Sequence, residues 1–246
     1  QSTEKGTVYL VRNTVAVSNP ASITGAADNL WNSVNIIFVD TNTDLPATGL
    51  LDGTYKAYAV DAAGNLSSAS TNSVIVDSTA PTANLTAVTD DVGNITGALT
   101  SGDYTDDTSL VLSGTNEAGS VVIVYNGTTE LGYATVSGTS WSYTASVVNG
   151  TTYQFNVKET DLASNTSDAT SNFTVTVDTT SPSVTLNPGN LNASDSAVVQ
   201  STETGTVYLI RESVDVSNLA SITGAADNLW NSVTISTPST NTSLPV

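Results

Sequence analysis

Short runs of alternating apolar and polar residues recur along the chain, each bounded by Gly, Asn, Asp or Ser. Thr7-Val-Tyr-Leu-Val11, Tyr55-Lys-Ala-Tyr-Ala-Val60 and Ser73-Val-Ile-Val76 are of this kind. β-Branched and aromatic residues at a period of two predict strands. In the middle of the chain the runs fall at 82–88, 108–113, 120–126, 131–136, 140–145, 152–158 and 172–177. That density of short strands, about seven per 100 residues, predicts an immunoglobulin-like antiparallel β-sandwich. Asn126-Gly127 and Asn149-Gly150 suit hairpin turns, which need positive φ. Ala21–Leu30 leaves room for a helical turn, but no sustained helical period occurs.

Parity along the strands assigns the aromatic residues. Trp141 and Tyr143 share a face and are expected in the core, as are Trp31 and Trp230. Tyr55 and Tyr153 open their strands, a position suited to a tyrosine corner whose hydroxyl bonds back to an upstream loop. Solvent-exposed Trp141 or Tyr133 in a shallow groove would instead favour a binding face.

One stretch occurs twice: Val74-Ile-Val-Asp77-Ser-Thr-Ala-Pro81 and Val175-Thr-Val-Asp178-Thr-Thr-Ser-Pro182. Each reads as a joint, with a last strand, a ligand-bearing linker and the first strand of a new domain. Around these joints the chain repeats itself. Residues 1–47 return as 200–246, with Ser22–Val34 unchanged as Ser221–Val233. A weaker repeat relates Asp61-Ala-Ala-Gly-Asn65 to Asp161-Leu-Ala-Ser-Asn165. The expected organisation is all-β, tandem immunoglobulin-like sandwiches in a linear array. Residues 1–76 are type A without its N-terminal strands, 77–177 a complete type B, and 178–246 type A without its C-terminal strands. Both A copies are thus expected to belong to a longer alternating array.

Composition narrows the chemistry. The chain has no Cys, His or Met, which removes disulfides, thiolate sites and His-based metal sites or general bases. No apolar run is long enough for a membrane helix, and Gln1-Ser-Thr-Glu4 does not begin a signal peptide. The net charge is −18, with 23 acids against five bases. Lys5, Arg12, Lys56, Lys158 and Arg211 form no patch for nucleic acid. The acids, by contrast, cluster.

Threading the middle unit as seven alternating strands gives each loop an end. Asp77, Glu117 and the pair Asp161 and Asn165 fall beside the first joint. In the A copies Glu4 and Glu203 match Glu117, and Asp61 and Asn65 match Asp161 and Asn165. At the opposite end the loop holding Asp90, Asp91, Asp103, Asp106 and Asp107 faces the joint at Asp178, and Asp195 occupies the corresponding loop of the last copy. Calcium suits this chemistry, since it takes six to eight oxygen ligands in flexible geometry. The plainer use of the same residues is turn formation, with Asp and Asn capping their own backbone. That use accounts for Asp44 and Asp52 but poorly for a recurring Glu-x-Gly.

The joints, Thr89-Asp-Asp-Val-Gly93, Ser113-Gly-Thr-Asn-Glu-Ala-Gly119 and Thr160-Asp-x-Ala-x-Asn165 resemble bacterial Ig-like extender repeats. These belong to giant RTX-type and other type I-secreted adhesins of Gram-negative bacteria. The middle unit is similar throughout, whereas the A copies carry a divergent central part. The resemblance implies calcium between modules at the bacterial cell surface. It assigns Asp77, Glu117, Asp161 and Asn165 to one joint, and Asp178, Asp90, Asp91, Asp106, Asp107 and Glu203 to the other.

The expected function is a structural stalk whose partners are its neighbouring repeats, without direct membrane insertion. A self-assembling extracellular filament made of other copies of the chain is one alternative, and a carbohydrate- or ice-binding module is another. Paired acids such as Asp90 and Asp91 could serve hydrolysis, but no cleft or base accompanies them, so an enzyme is not expected.

Overall fold

The computed structural model describes every residue except Gln1, Asn94, Ile95 and Ala193. It is almost entirely β. No helix among the described residues is long and apolar enough to cross a membrane.

The first unit holds β1 (Gly6–Arg12), β2 (Trp31–Ile36), β3 (Gly53–Asp61) and β4 (Val74–Val76). They form one antiparallel sheet in the order β2-β1-β3-β4. Between β1 and β2 lies the helical turn α1 (Pro20–Thr24), capped by Asn19, whose Oδ1 accepts the Ser22 amide at 2.9 Å. This unit, expected to lack its N-terminal strands, is a single sheet among the described residues. Its core is small: Leu10, Leu50 and Tyr55, with Leu45 and Val76 against them. Ile37 and Phe38, just past β2, stay 67% and 72% exposed because no second sheet covers them.

The middle unit is the complete sandwich. Its strands are β5 (Asn84–Asp90), β6 (Gly97–Ala98), β7 (Tyr104–Thr105), β8 (Ser109–Thr115), β9 (Val121–Asn126), β10 (Thr129–Tyr133), β11 (Thr135–Ser137), β12 (Ser140–Ser146), β13 (Thr152–Thr160) and β14 (Phe173–Val177). One sheet runs β10-β9-β13-β14-β7 and the other β11-β12-β8-β5-β6. Val88, Leu112, Val124, Phe155 and Val175 close the space between them, each contributing about 1.5–3 kcal/mol through burial.

The strand predicted over 131–136 is two strands. β10 stays with β9, while β11 crosses to β12 in the opposite sheet. The register shifts at Gly132, and the Ala134 amide donates to the Val122 carbonyl at 2.9 Å where the chain changes sheets. The Asp-rich segment, expected as loop, supplies β6 and β7. β7 lies parallel to β14, so this loop is pinned to the sheet.

Trp141 is buried, its indole donating to the Asn84 carbonyl at 3.1 Å. It packs on Gly114, where a Cβ would collide with that carbonyl and with the ring. Both tyrosine corners form. Tyr55 donates to the Leu51 carbonyl at 2.7 Å, and the Tyr153 hydroxyl accepts the Val148 amide at 3.1 Å.

The third unit holds β15 (Val184–Leu186), β16 (Ser196–Ser201), β17 (Gly205–Ile210), α2 (Leu219–Thr223), β18 (Trp230–Ile235) and β19 (Thr242–Pro245). β15-β16-β19 form one sheet and β17-β18 a second. Ala197, Val199, Ile235 and Leu244 pack between them.

Candidate functional site

The candidate site is built at the joints. In the first linker Asp77 Oδ1 accepts the Thr79 amide at 3.0 Å, a turn across its own backbone. Asp52 then clamps the linker from the first unit. Its Oδ1 accepts the Ser78 amide (2.9 Å) and hydroxyl (2.7 Å), and its Oδ2 accepts the Thr79 hydroxyl (2.8 Å). The Ser78 hydroxyl, then that of Thr79, holds the Asp52 carboxyl below its usual range. Asp52 is therefore a linker clamp and not merely a turn former. Its counterpart at the second linker is Asn149, which accepts the Thr179 amide at 2.9 Å and donates to the Thr180 hydroxyl at 3.1 Å. Sequence reading missed both clamps, although Asp52-Gly53 and Asn149-Gly150 occupy matching places just before their strands.

The middle unit meets the first linker through Asn165. Its Nδ2 donates to the Asp77 carbonyl at 3.1 Å and to Asp161 Oδ2 at 2.8 Å. Asp161 Oδ1 accepts the amides of Ala163 and Asn165, both at 2.8 Å. Desolvation raises the Asp161 carboxyl, but the Asn165 side chain and the turn amides together outweigh it and hold it low. The β8–β9 loop packs alongside, with Leu162 lying over Gly119. Asp77, Asp161 and Asn165 are therefore joined directly, and Glu117 stands on the adjoining loop.

That loop leads to a residue the sequence reading did not single out. Glu159 is 0% exposed, and its Oε1 accepts the Glu117 amide. Its parity was the available signal: Phe155, Val157 and Glu159 alternate on the core face of β13.

At the second joint the Asp178 amide donates to the Thr105 carbonyl at 2.8 Å, and Asp178 Oδ1 accepts the Thr180 amide at 3.0 Å. Asp90, Asp106, Asp178 and Glu203 line one open cleft of about 610 Å³, with Tyr104, Thr105 and Pro238. Asp90 and Asp107 are only 3% and 2% exposed. Asp90 Oδ2 accepts the Thr105 hydroxyl at 2.6 Å, and Asp107 Oδ1 accepts the Ser109 amide at 2.7 Å. The Asp91 amide approaches Asp107 Oδ2 at 3.4 Å, while Asp91 itself is exposed.

Of the remaining candidates, Glu4, Asp61 and Asn65 line a separate cleft of about 290 Å³ that also holds Lys5. Asp61 is held low, chiefly by the Asn65 side chain. Asp195 is exposed and accepts the Asn192 amide at 2.8 Å within its own turn.

The donors at both joints are all oxygen, as a hard cation requires. The structure also makes room for them: a Cβ at Gly93 would collide with the Asp106 carboxylate. Among the described residues no three acidic side chains already form a closed metal cluster. Asp90, Asp106, Asp178 and Glu203 thus share one oxygen-lined cleft at the second joint without being gathered around a single point.

This all-β sandwich of antiparallel sheets belongs to the immunoglobulin-like class. Residues 82–179 match the family described as bacterial Ig-like domain, so the middle unit is such a domain, of a non-catalytic fold typical of extracellular and surface proteins. The chain is also similar to chitinase A1 of Niallia circulans, with 34% identity over 166 residues. That match takes in 63% of this chain but only 22% of the relative.

Proposed function

We propose that the chain is a structural extender: tandem sandwiches held in line by calcium at their joints, projecting a terminal binding region from a bacterial surface. One observation carries the reading. The cleft at the second joint draws Asp90 and Asp106 from the middle unit, Asp178 from the linker and Glu203 from the third unit. Without a cation these carboxylates repel across the joint, and with one they bond to it from both sides. On this reading the chain has no catalytic role of its own.

The clamps Asp52 and Asn149 support the same reading, since each fixes a linker to the unit before it. Chelation by EGTA lowers the Tm and makes the small-angle scattering profile more compact or more variable. An unchanged Tm and an unchanged profile overturn the proposal.

The similarity to chitinase A1 favours a second setting for the same spacer role, within a larger secreted polysaccharide-acting protein. In that setting the chain alone neither cleaves chitin nor is retained on it. Turnover by the isolated chain would overturn both settings.

A further inference from the structure

We infer that the middle unit has a cation site of its own, centred on Glu159 and Asn116, beyond the joint carboxylates. Glu159 is fully buried, and its Oε2 has no partner among the described residues. An ionised carboxylate buried without a counter-charge costs several kcal/mol, so such an oxygen requires either a proton or a cation.

Asn116 decides between them. It is 7% exposed, and it immediately precedes the residue whose amide holds Glu159. Its Nδ2 donates to the carbonyls of Glu117 (2.7 Å) and Gly138 (3.3 Å) and to the Ser120 hydroxyl (3.2 Å). Two carbonyl acceptors settle which end of the amide carries the hydrogens. Asn116 Oδ1 is thereby left buried and also without a partner among the described residues.

Two buried acceptor oxygens are thus left on neighbouring segments, which the Glu117 amide ties together through Glu159 Oε1. A proton on Glu159 makes one hydrogen bond, whereas a cation takes both oxygens and more. The surroundings favour the cation. Exposed Glu117 adjoins on the loop, and Asp161 opens the turn just past the end of β13. The nearest base in sequence, Lys158, points to the outer face, 6.0 Å from the Tyr125 ring. Carboxylate and amide oxygens select a calcium-type ion.

The first unit supplies an internal control. The Ala59 amide donates to the Ser67 hydroxyl at 2.8 Å, as the Glu159 amide does to that of Ser167 at 2.9 Å. The local backbone pairing is therefore the same with Ala in place of Glu.

The test is calcium stoichiometry by equilibrium dialysis on the full 246-residue chain, with Tm in calcium and in EGTA. Glu159→Gln is expected to bind one calcium fewer than the parent and to lose part of the calcium-induced rise in Tm. Glu159→Asp, which keeps the carboxylate, is expected to keep the ion with a weaker affinity. Far-UV circular dichroism and Trp141 fluorescence confirm that each variant is folded. Asp77→Asn, at the joint this end of the unit faces, serves as the joint control and is expected to leave the Glu159 ion in place. If Glu159→Gln binds as much calcium as the parent, the inference fails. That outcome leaves the joint reading standing, whereas loss of calcium only in Glu159→Gln supports this site against the joints.

Discussion

The turn after β3 in the first unit and the turn after β13 in the middle unit share their hydrogen bonds and differ in four side chains from 59 to 65 and from 159 to 165. Asp61 accepts the amides of Ala63 (2.9 Å) and Asn65 (2.8 Å), as Asp161 does those of Ala163 and Asn165. In each turn the asparagine side chain returns to the aspartate, at 2.7 and 2.8 Å. The differences are Ala59 against Glu159, Val60 against Thr160, Ala62 against Leu162, and Gly64 (φ +89) against Ser164 (φ +73). The turn is complete on its own hydrogen bonds in both units. An Asp-x-x-x-Asn motif is therefore turn chemistry first, and the middle unit is set apart by what it adds to that turn. It adds a buried acid, and beneath that acid a two-sheet core where the first unit has one sheet.

The largest expected difference between the two units lies in their cores. Phe155→Ala removes a ring enclosed by both sheets and should cost the middle unit about 3–5 kcal/mol. Leu10→Ala, in the one-sided core, should fall at the low end of the roughly 2–5 kcal/mol range for such truncations. Urea unfolding followed by Trp141 fluorescence reads the first, and by Trp31 fluorescence the second. Equal losses would show that the first unit is as tightly closed as the middle one.

The tyrosine corners come next. Tyr55→Phe removes the hydrogen bond from a fully buried tyrosine to the Leu51 carbonyl and should cost about 1–2 kcal/mol. Tyr153→Phe frees an amide at exposed Val148 and should cost less. Thermal melts of the two variants rank them, and the reverse order would contradict the burial.

A smaller effect is expected at the left-handed position. Ser164→Gly relieves a side chain held at positive φ and should stabilise the middle unit by about 1 kcal/mol. Gly64→Ser should destabilise the first unit by a similar amount, so a pair of denaturant titrations with the same sign would refute the comparison.

The smallest effect concerns the clamps, one a carboxylate and the other an amide. Asp52 is held below its ordinary value of 3.8 by the hydroxyls it accepts. A depressed carboxyl contributes in full above its unfolded value and loses that contribution as pH falls through the folded one. Acid below about pH 4 should therefore loosen the first linker and spare the second, which Asn149 holds without titrating. Pepsin should cut near Ser78 before Thr179, and Asp52→Asn should remove the pH dependence of that cut.

Much of this arrangement was legible along the chain. The period-two pattern located the middle sandwich, and the repeated Asp-x-Thr-x-Pro located both joints. Loop parity put Asp161 and Asn165 beside Asp77. Glu159 was legible too, because it follows Phe155 and Val157 on the core face, yet a carboxylate there reads as an interruption until its unpartnered oxygen is seen. The two clamps were not legible, since nothing local distinguishes an Asp that caps its own turn from one that reaches a linker 26 residues on.

The repeat itself separates what sequence decides from what tertiary structure decides. The capped helical turns Pro20–Thr24 and Leu219–Thr223 form alike in both copies, because each is closed by hydrogen bonds to its own neighbouring residues. Thr43-Asp-Leu-Pro46 and Thr242-Ser-Leu-Pro245 are nearly the same sequence, yet the second is strand β19 and the first is irregular chain. β19 pairs with β16, and no strand among the described residues of the first unit stands in that place. Leu244 is fully buried as a result, while Leu45 is only partly so. A helical turn satisfies its backbone within a few residues of sequence, whereas a strand has to find its partner across the fold.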